Sequence, residues 1–184
     1  MRILAISTAC ILAVPSAFGQ VEDNAPSIAD LDFLIGTWEG QTTFFFPREN
    51  DRQPAHEEAG RTCQYILASN YIQCDSTMTR SDGRSRSLRS HYNYDPDENA
   101  YQALYIYDNW AGRVTYHIRR GEEANTYVAF TDYTTPEGVA ADERIEWRLS
   151  EDGRKWRVSE FHHLPTDPDG YWAKNFEVDL RRAD

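Results

Sequence analysis

Between Trp38 and Arg182 the chain carries no helical repeat of apolar residues; apolar side chains instead recur at every second position, in short runs that each end at a turn. The first run covers residues 38–46 and is broken by Pro47-Arg48-Glu49-Asn50-Asp51-Arg52-Gln53-Pro54. Two more flank Ala68-Ser69, between Cys63 and Cys74. A fourth follows Ser81-Asp82-Gly83 and ends at Tyr94, and Asp95-Pro96-Asp97-Glu98-Asn99 turns the chain into a fifth at 100–107. Further runs occupy 113–120, 126–133, 143–149, 155–161 and 171–182, with Glu151-Asp152-Gly153 and Asp167-Pro168-Asp169-Gly170 as turns. A parallel sheet needs crossover helices, and none intervenes. The expected fold is therefore all-β: a single antiparallel up-and-down barrel of about ten strands, whose closure removes the exposed edges that an open meander would keep. A two-sheet sandwich is the alternative.

Ahead of the strands, Ser27 with Asp30 reads as a helix start, and Ile28, Leu31, Phe33 and Leu34 supply one apolar face. Only one or two turns fit before Gly36, so a short helical turn is expected to close one end of the barrel. Residues 1–19 read as a signal peptide: a positive charge at Arg2, an apolar run over 3–14, and Ala17-Phe18-Gly19 with small residues where a signal peptidase cuts. Cleavage after Gly19 would deliver the protein to the periplasm or the exterior, with 20–26 as a flexible leader and 27–184 as the barrel domain. Cys10 lacks the Leu expected of a lipoprotein signal. No apolar run reaches the roughly 20 residues of a membrane-spanning helix.

Setting residues 1–19 aside leaves 18 basic against 30 acidic side chains, a net charge of −12 with His neutral. Such a surface repels phosphate backbones, so neither nucleic acid nor an anionic membrane is an expected partner. Cys63 and Cys74 stand in mirror positions about the Ala68-Ser69 turn, and in an oxidising compartment the pair is expected to form a disulfide. No His or Cys lies at zinc-finger spacing, and no metal site is predicted.

Following the bulky apolar phase inward gives an aromatic interior that includes Trp38, Tyr92, Tyr94, Tyr105, Tyr107, Tyr116, Trp147 and Trp172. Flat walls with polar tips suit a small amphipathic molecule, although the same rings could simply fill a narrow barrel. Glu160 and Lys174 break the apolar phase, and a hairpin centred on Asp167 sets them opposite each other as an interior ion pair or a polar anchor for a ligand. His162 and His163, being adjacent, must face opposite sides of a strand, which is poor geometry for a shared metal. No Gly-x-Ser-x-Gly elbow, Gly-rich phosphate loop or His-Glu-x-x-His occurs, and no catalytic residue is assigned.

The stretch Leu31-Asp32-Phe33-Leu34-Ile35-Gly36-Thr37-Trp38-Glu39-Gly40 resembles the opening of a calycin barrel, in which a helical turn closes the floor and a Gly-x-Trp plugs it with an indole. Together with Tyr92-Asn93-Tyr94-Asp95-Pro96, Trp156-Arg157-Val158-Ser159-Glu160-Phe161 and the ending Phe176-Glu177-Val178-Asp179-Leu180-Arg181-Arg182, it resembles a bacterial, often exported, lipocalin-like family of unknown function, similar in fold to nitrobindins and fatty-acid-binding proteins. Nitrobindins bind haem through a His near the final strand. The matching part here reads Asn175-Phe176-Glu177-Val178 and offers no imidazole, so the resemblance brings no cofactor. His162 or His163 would substitute only if the barrel turned one of them inward. The leading reading is an exported barrel that binds a small hydrophobic or amphipathic molecule. Its rivals are an isomerase, cyclase or hydrolase using Glu160 and interior tyrosines as acid and base, a haem or nitric-oxide binder, and an interaction module without a pocket.

Overall fold

The computed structural model describes residues 26–49, 51–109, 111–134 and 138–183, so the expected signal peptide and most of the leader lie outside the described residues. A short 3-10 helix, Ile28–Leu34, precedes ten strands: β1 Gly36–Phe44, β2 Ala55–Ile66, β3 Tyr71–Thr79, β4 Ser85–Asp95, β5 Ala100–Tyr107, β6 Arg113–Arg120, β7 Thr126–Thr134, β8 Ala140–Leu149, β9 Lys155–His163 and β10 Ala173–Arg182. Each strand pairs antiparallel with its neighbours in sequence, and β10 returns to β1, which closes the barrel. Among the described residues no helix is long and apolar enough to cross a membrane.

The helix seals the end where β1 begins. Asp30 reaches back to accept a 3.0 Å bond from the Ser27 amide, as the Ser27/Asp30 pattern predicts. Leu31 and Leu34 are fully buried, and the Leu34 carbonyl accepts 2.9 Å from the Trp38 indole N–H. Around Trp38 the rings pack edge to face: Trp156 at 5.8 Å, Trp147 on Trp156 at 6.0 Å, Tyr92 on Trp147 at 5.6 Å. Arg182 lies over the Trp38 ring and donates to the carbonyls of Ile35 and Phe33. That guanidinium explains Gly36: its φ is +119°, and a Cβ there would stand 2.8 Å from Arg182 Nη1. At Gly40 a Cβ would meet the Asp179 carbonyl oxygen at 1.8 Å, so β1 and β10 approach closely enough to close the barrel only because this residue has no side chain.

Cys63 and Cys74 are direct cross-strand partners, joined by a disulfide as their mirror spacing predicts. Two sequence expectations fail on the last hairpin. Gly170 takes φ +75° and the Tyr171 amide bonds to the Pro168 carbonyl, so the turn persists past 170 and β10 begins at Ala173 rather than at 171. A bulge then falls between Lys174 and Phe176. Ala173 pairs with His162 and Lys174 with Phe161, whereas Glu160 pairs with Phe176, because the bulge inserts Asn175 without a partner. Lys174 is therefore not opposite Glu160; it lies on the outer face, bonded to Glu177 and near the rings of Phe45 and Phe161. Trp172 is also outside, packed with His163 and Arg144.

Candidate functional site

Aromatic rings fill the barrel next to the helix, but the opposite half is hollow. A cavity of about 410 Å³ lies there, bounded by inward side chains of β1 to β6 and β8 to β10. Apolar walls come from Phe44, Ala59, Met78, Leu88, Val114, Ile145, Val158 and Phe176. An engineered apolar cavity of about 150 Å³ takes one benzene, so by simple scaling this one takes roughly fifteen non-hydrogen atoms.

One side of the cavity is acidic. Glu143 on β8 lies two residues before Ile145, and Glu160 and His162 continue the inward phase of Val158 on β9, so period-2 geometry aims all three inside. Glu143 and Glu160 are 3% and 7% exposed, and donor atoms of the trio lie within 4.8 Å of one another. Tyr116 on β6 donates its hydroxyl to Glu143 Oε1 at 2.6 Å. His162 Nε2 stands 2.9 Å from Glu160 Oε1 and 3.8 Å from Glu143 Oε2.

Burial pushes Glu160 up to about 7, against the hydrogen bonds from Glu143 and Asn175. Burial, followed by the neighbouring Glu160 charge, raises Glu143 well above the usual carboxylate range. Two carboxyls this close and this dry do not both ionise, so near neutrality the pair retains a proton. Burial lowers His162 despite the nearby Glu143 and keeps the imidazole neutral, and burial then Glu143 hold the Tyr116 phenol well above its ordinary value. The arrangement can accept a hydrogen bond, donate one and relay a proton. Among the described residues it is also where three ligand atoms converge closely enough to hold a metal ion.

Strands β1 to β4 carry cationic and hydroxyl groups. Arg61 lies over the Trp156 ring at 4.6 Å and donates from Nε to Ser76 Oγ at 2.7 Å. Arg86 pairs with the buried Glu57 at 2.9 Å, and Arg80 completes that bridge from the rim at 3.2 Å. Across the mouth Arg48, in the β1–β2 loop, ion-pairs with Asp167 and donates to the His162 carbonyl, tying that loop to the β9–β10 turn.

Of the sequence-predicted site residues, Tyr105, Tyr107 and Glu160 line the cavity. Tyr116 joins it through Glu143. Trp38, Tyr92 and Trp147 belong to the filled half, and Tyr94 packs on Tyr101 near the floor. Trp172 and Lys174 are outside. Sequence reasoning did not select Glu143, His162, Asn175, Arg61, Arg86 or Thr42. A signal existed for three of them: Glu143 shares the phase of Ile145 and Trp147, His162 that of Val158, and Thr42 that of Trp38 and Phe44. His162 is the histidine that turns inward, but its Nε2 is engaged by Glu160.

The likenesses to solved structures lie in the fold. Rv2717c from M. tuberculosis superposes with a TM-score of 0.61 at 12% identity, over 85% of this chain and 97% of that one. A structure of EF1p2_mFAP2b bound to DFHBI gives 0.40 at 12% identity over 83% and 96%, and lobster apocrustacyanin A1 gives 0.32 at 12% over 84% and 63%. No curated protein matches the sequence. The helix and the ten strands of the barrel, Ile28 to Arg182, coincide with the span matched by one family model, residues 28–182, and on that match the chain belongs to the family described as "Protein of unknown function (DUF1579)".

Proposed function

We propose that this barrel binds one small amphipathic organic molecule, admitted through the end opposite the helix, in a compartment outside the cytoplasm. The observation that carries the reading is the cavity of about 410 Å³, apolar over much of its wall yet bearing Glu143, Glu160, Arg61 and Arg86. Burying charged side chains around a void is costly, and a ligand with matching polar groups offsets that cost. The export pattern over residues 1–19 and the Cys63–Cys74 disulfide support the localisation.

The test is saturable binding of small amphipathic probes, followed by calorimetry and native mass spectrometry of the purified protein. One site per chain is expected, abolished by Ala59→Trp, because Ala59 borders the cavity. Ala103 shares the inward phase of Tyr105, but it sits in the filled half and a Trp there would overpack the core without reaching the ligand. Failure of a chemically varied probe set to bind the folded protein would overturn the proposal.

One observation favours a second reading on the same site. A carboxyl pair holding a proton beside a neutral imidazole and a phenol is the equipment of general acid–base catalysis. Turnover of a bound compound that is lost in Glu160→Gln, with binding retained, would make the protein an enzyme of proton transfer.

A further inference from the structure

Three polar atoms on the β1–β4 side of the cavity are buried and have no hydrogen-bond partner among the described residues: Arg61 Nη1, Arg86 Nε and Thr42 Oγ1. All three residues border the cavity. Thr42 is fully buried. Arg86 already gives one nitrogen to Glu57, whereas Arg61 has no carboxylate partner among the described residues, only the Ser76 hydroxyl and the Trp156 ring. Each orphan is a hydrogen-bond donor, and a donor left unmade in a buried site costs more than any ordinary bond gains. Two guanidiniums and a hydroxyl converging on one void are complementary to an anion with more than one oxygen.

Resting on the small-molecule reading above, the geometry points to a carboxylate as the ligand's polar group, seated between Arg61, Arg86 and Thr42, with the apolar body of the ligand extending toward Val158 and Phe176. A guanidinium presents parallel N–H donors that match the two oxygens of a carboxylate, which makes this pair both directional and strong. A monoanion fits better than a dianionic phosphate, because Glu143, Glu160 and Glu57 line or flank the same interior and each further negative charge raises the repulsion. Glu143 and Glu160 stand on β8 and β9 of the same cavity, with Glu160 near enough to Arg86 to interact with its charge, and they are placed to meet a hydroxyl or amide on the ligand.

The experiment compares two isosteric probes on the full chain: naphthylpropionic acid, of about fifteen non-hydrogen atoms and so scaled to the cavity, and its primary amide. Titration calorimetry at neutral pH reads both affinities. The acid should bind about tenfold or more tightly than the amide, and Arg61→Met should remove that preference, weakening the acid about tenfold or more and the amide far less. Thr42→Val, nearly isosteric, should weaken the acid by a few-fold and the amide by less, and serves if Arg61→Met fails to fold. Equal affinity of the two probes for the unmodified protein would overturn the anion seat while leaving the binding function intact. Tighter binding of the amide would overturn it as well. If neither probe binds, while other amphipathic molecules do, the carboxylate assignment falls; if nothing binds, the function falls with it.

Discussion

The half of the barrel beside the helix and the half at the opposite mouth are built from the same ten strands, yet the first is packed solid and the second encloses a void. Both halves bury carboxyl groups, and they treat them in opposite ways. At the floor, Asp30 is partly buried, which works against its ionisation, but hydrogen bonds from Tyr101 and the Ser27 amide and the Arg120 guanidinium hold its carboxyl below the ordinary value. At the mouth, burial outweighs every donor and lifts Glu143 and Glu160 above theirs. The floor wants its acid charged; the mouth wants its acids protonated. The difference teaches where this molecule invests in stability and where it keeps a polar group poised. A carboxylate held charged by its donors adds rigidity, whereas an acid pair whose burial outweighs its donors adds reactivity at some cost to the fold.

The largest effect that would sharpen the contrast is loss of the floor indole. Trp38 is fully buried, ringed by Trp156 and bonded to Leu34, and Trp38→Ala should cost about 3–5 kcal/mol in a urea or guanidinium titration. A denaturation midpoint unchanged from the parent would show that the floor is not the stabilising half.

The pH dependence of stability should differ in sign between the halves. A carboxyl raised in the folded state stabilises fully below its unfolded value, and that stabilisation is lost as pH rises through the folded one. For Glu160 the window runs from about 4.5 to about 7. Glu160→Gln should therefore flatten a fall of up to about 3 kcal/mol across that range. Asp30, lowered in the folded state, contributes above its unfolded value and loses its contribution as pH falls, so Asp30→Asn should alter only the acid limb. Denaturation series from pH 3 to 8 on both variants check the pair; identical profiles would dissolve the distinction.

The disulfide bridges β2 and β3 on the floor side, and replacing both cysteines by serine should cost roughly 2–3 kcal/mol on the chain-entropy account. Unfolding with and without reductant reads it, with the double variant as the reductant-insensitive control. The smallest effect expected is at Lys174. As an outer-face partner of Glu177, its replacement by Met should change stability by less than about 1 kcal/mol. A loss of about 3–5 kcal/mol would instead indicate an interior charge pair with Glu160 and would contradict the bulge.

How much of this was legible in the sequence depends on the strand. Where bulky residues alternate strictly, as at Ala103, Tyr105 and Tyr107 or at Ile145 and Trp147, the inward face is read correctly, because side-chain direction in a strand is a local property of period two. In β2 the run Ala55-His56-Glu57-Glu58-Ala59-Gly60-Arg61 gives no apolar phase, so Glu57 and Arg61 pass for solvated charges. In β10 the alternation is continuous through Lys174 and Phe176, but one extra residue opposite β9 reverses everything before it.

The sequence by itself determined the count and direction of the strands and the Cys63–Cys74 pairing, which follow from turns, periodicity or spacing along a short piece of chain. The Gly-x-Trp floor was legible through the resemblance of residues 31–40 to the opening of a calycin barrel. Only the tertiary structure decided that Asn175 rather than Lys174 faces the interior, that Glu143 meets Glu160, His162 and Tyr116 across three strands, and that Arg61 and Arg86 gather on the β1–β4 side with no carboxylate paired to Arg61 among the described residues. The physical reason is register. Which residue of one strand lies beside which residue of the next is set by loop lengths, a bulge and barrel closure acting together, and none of these is a property of any single run of residues.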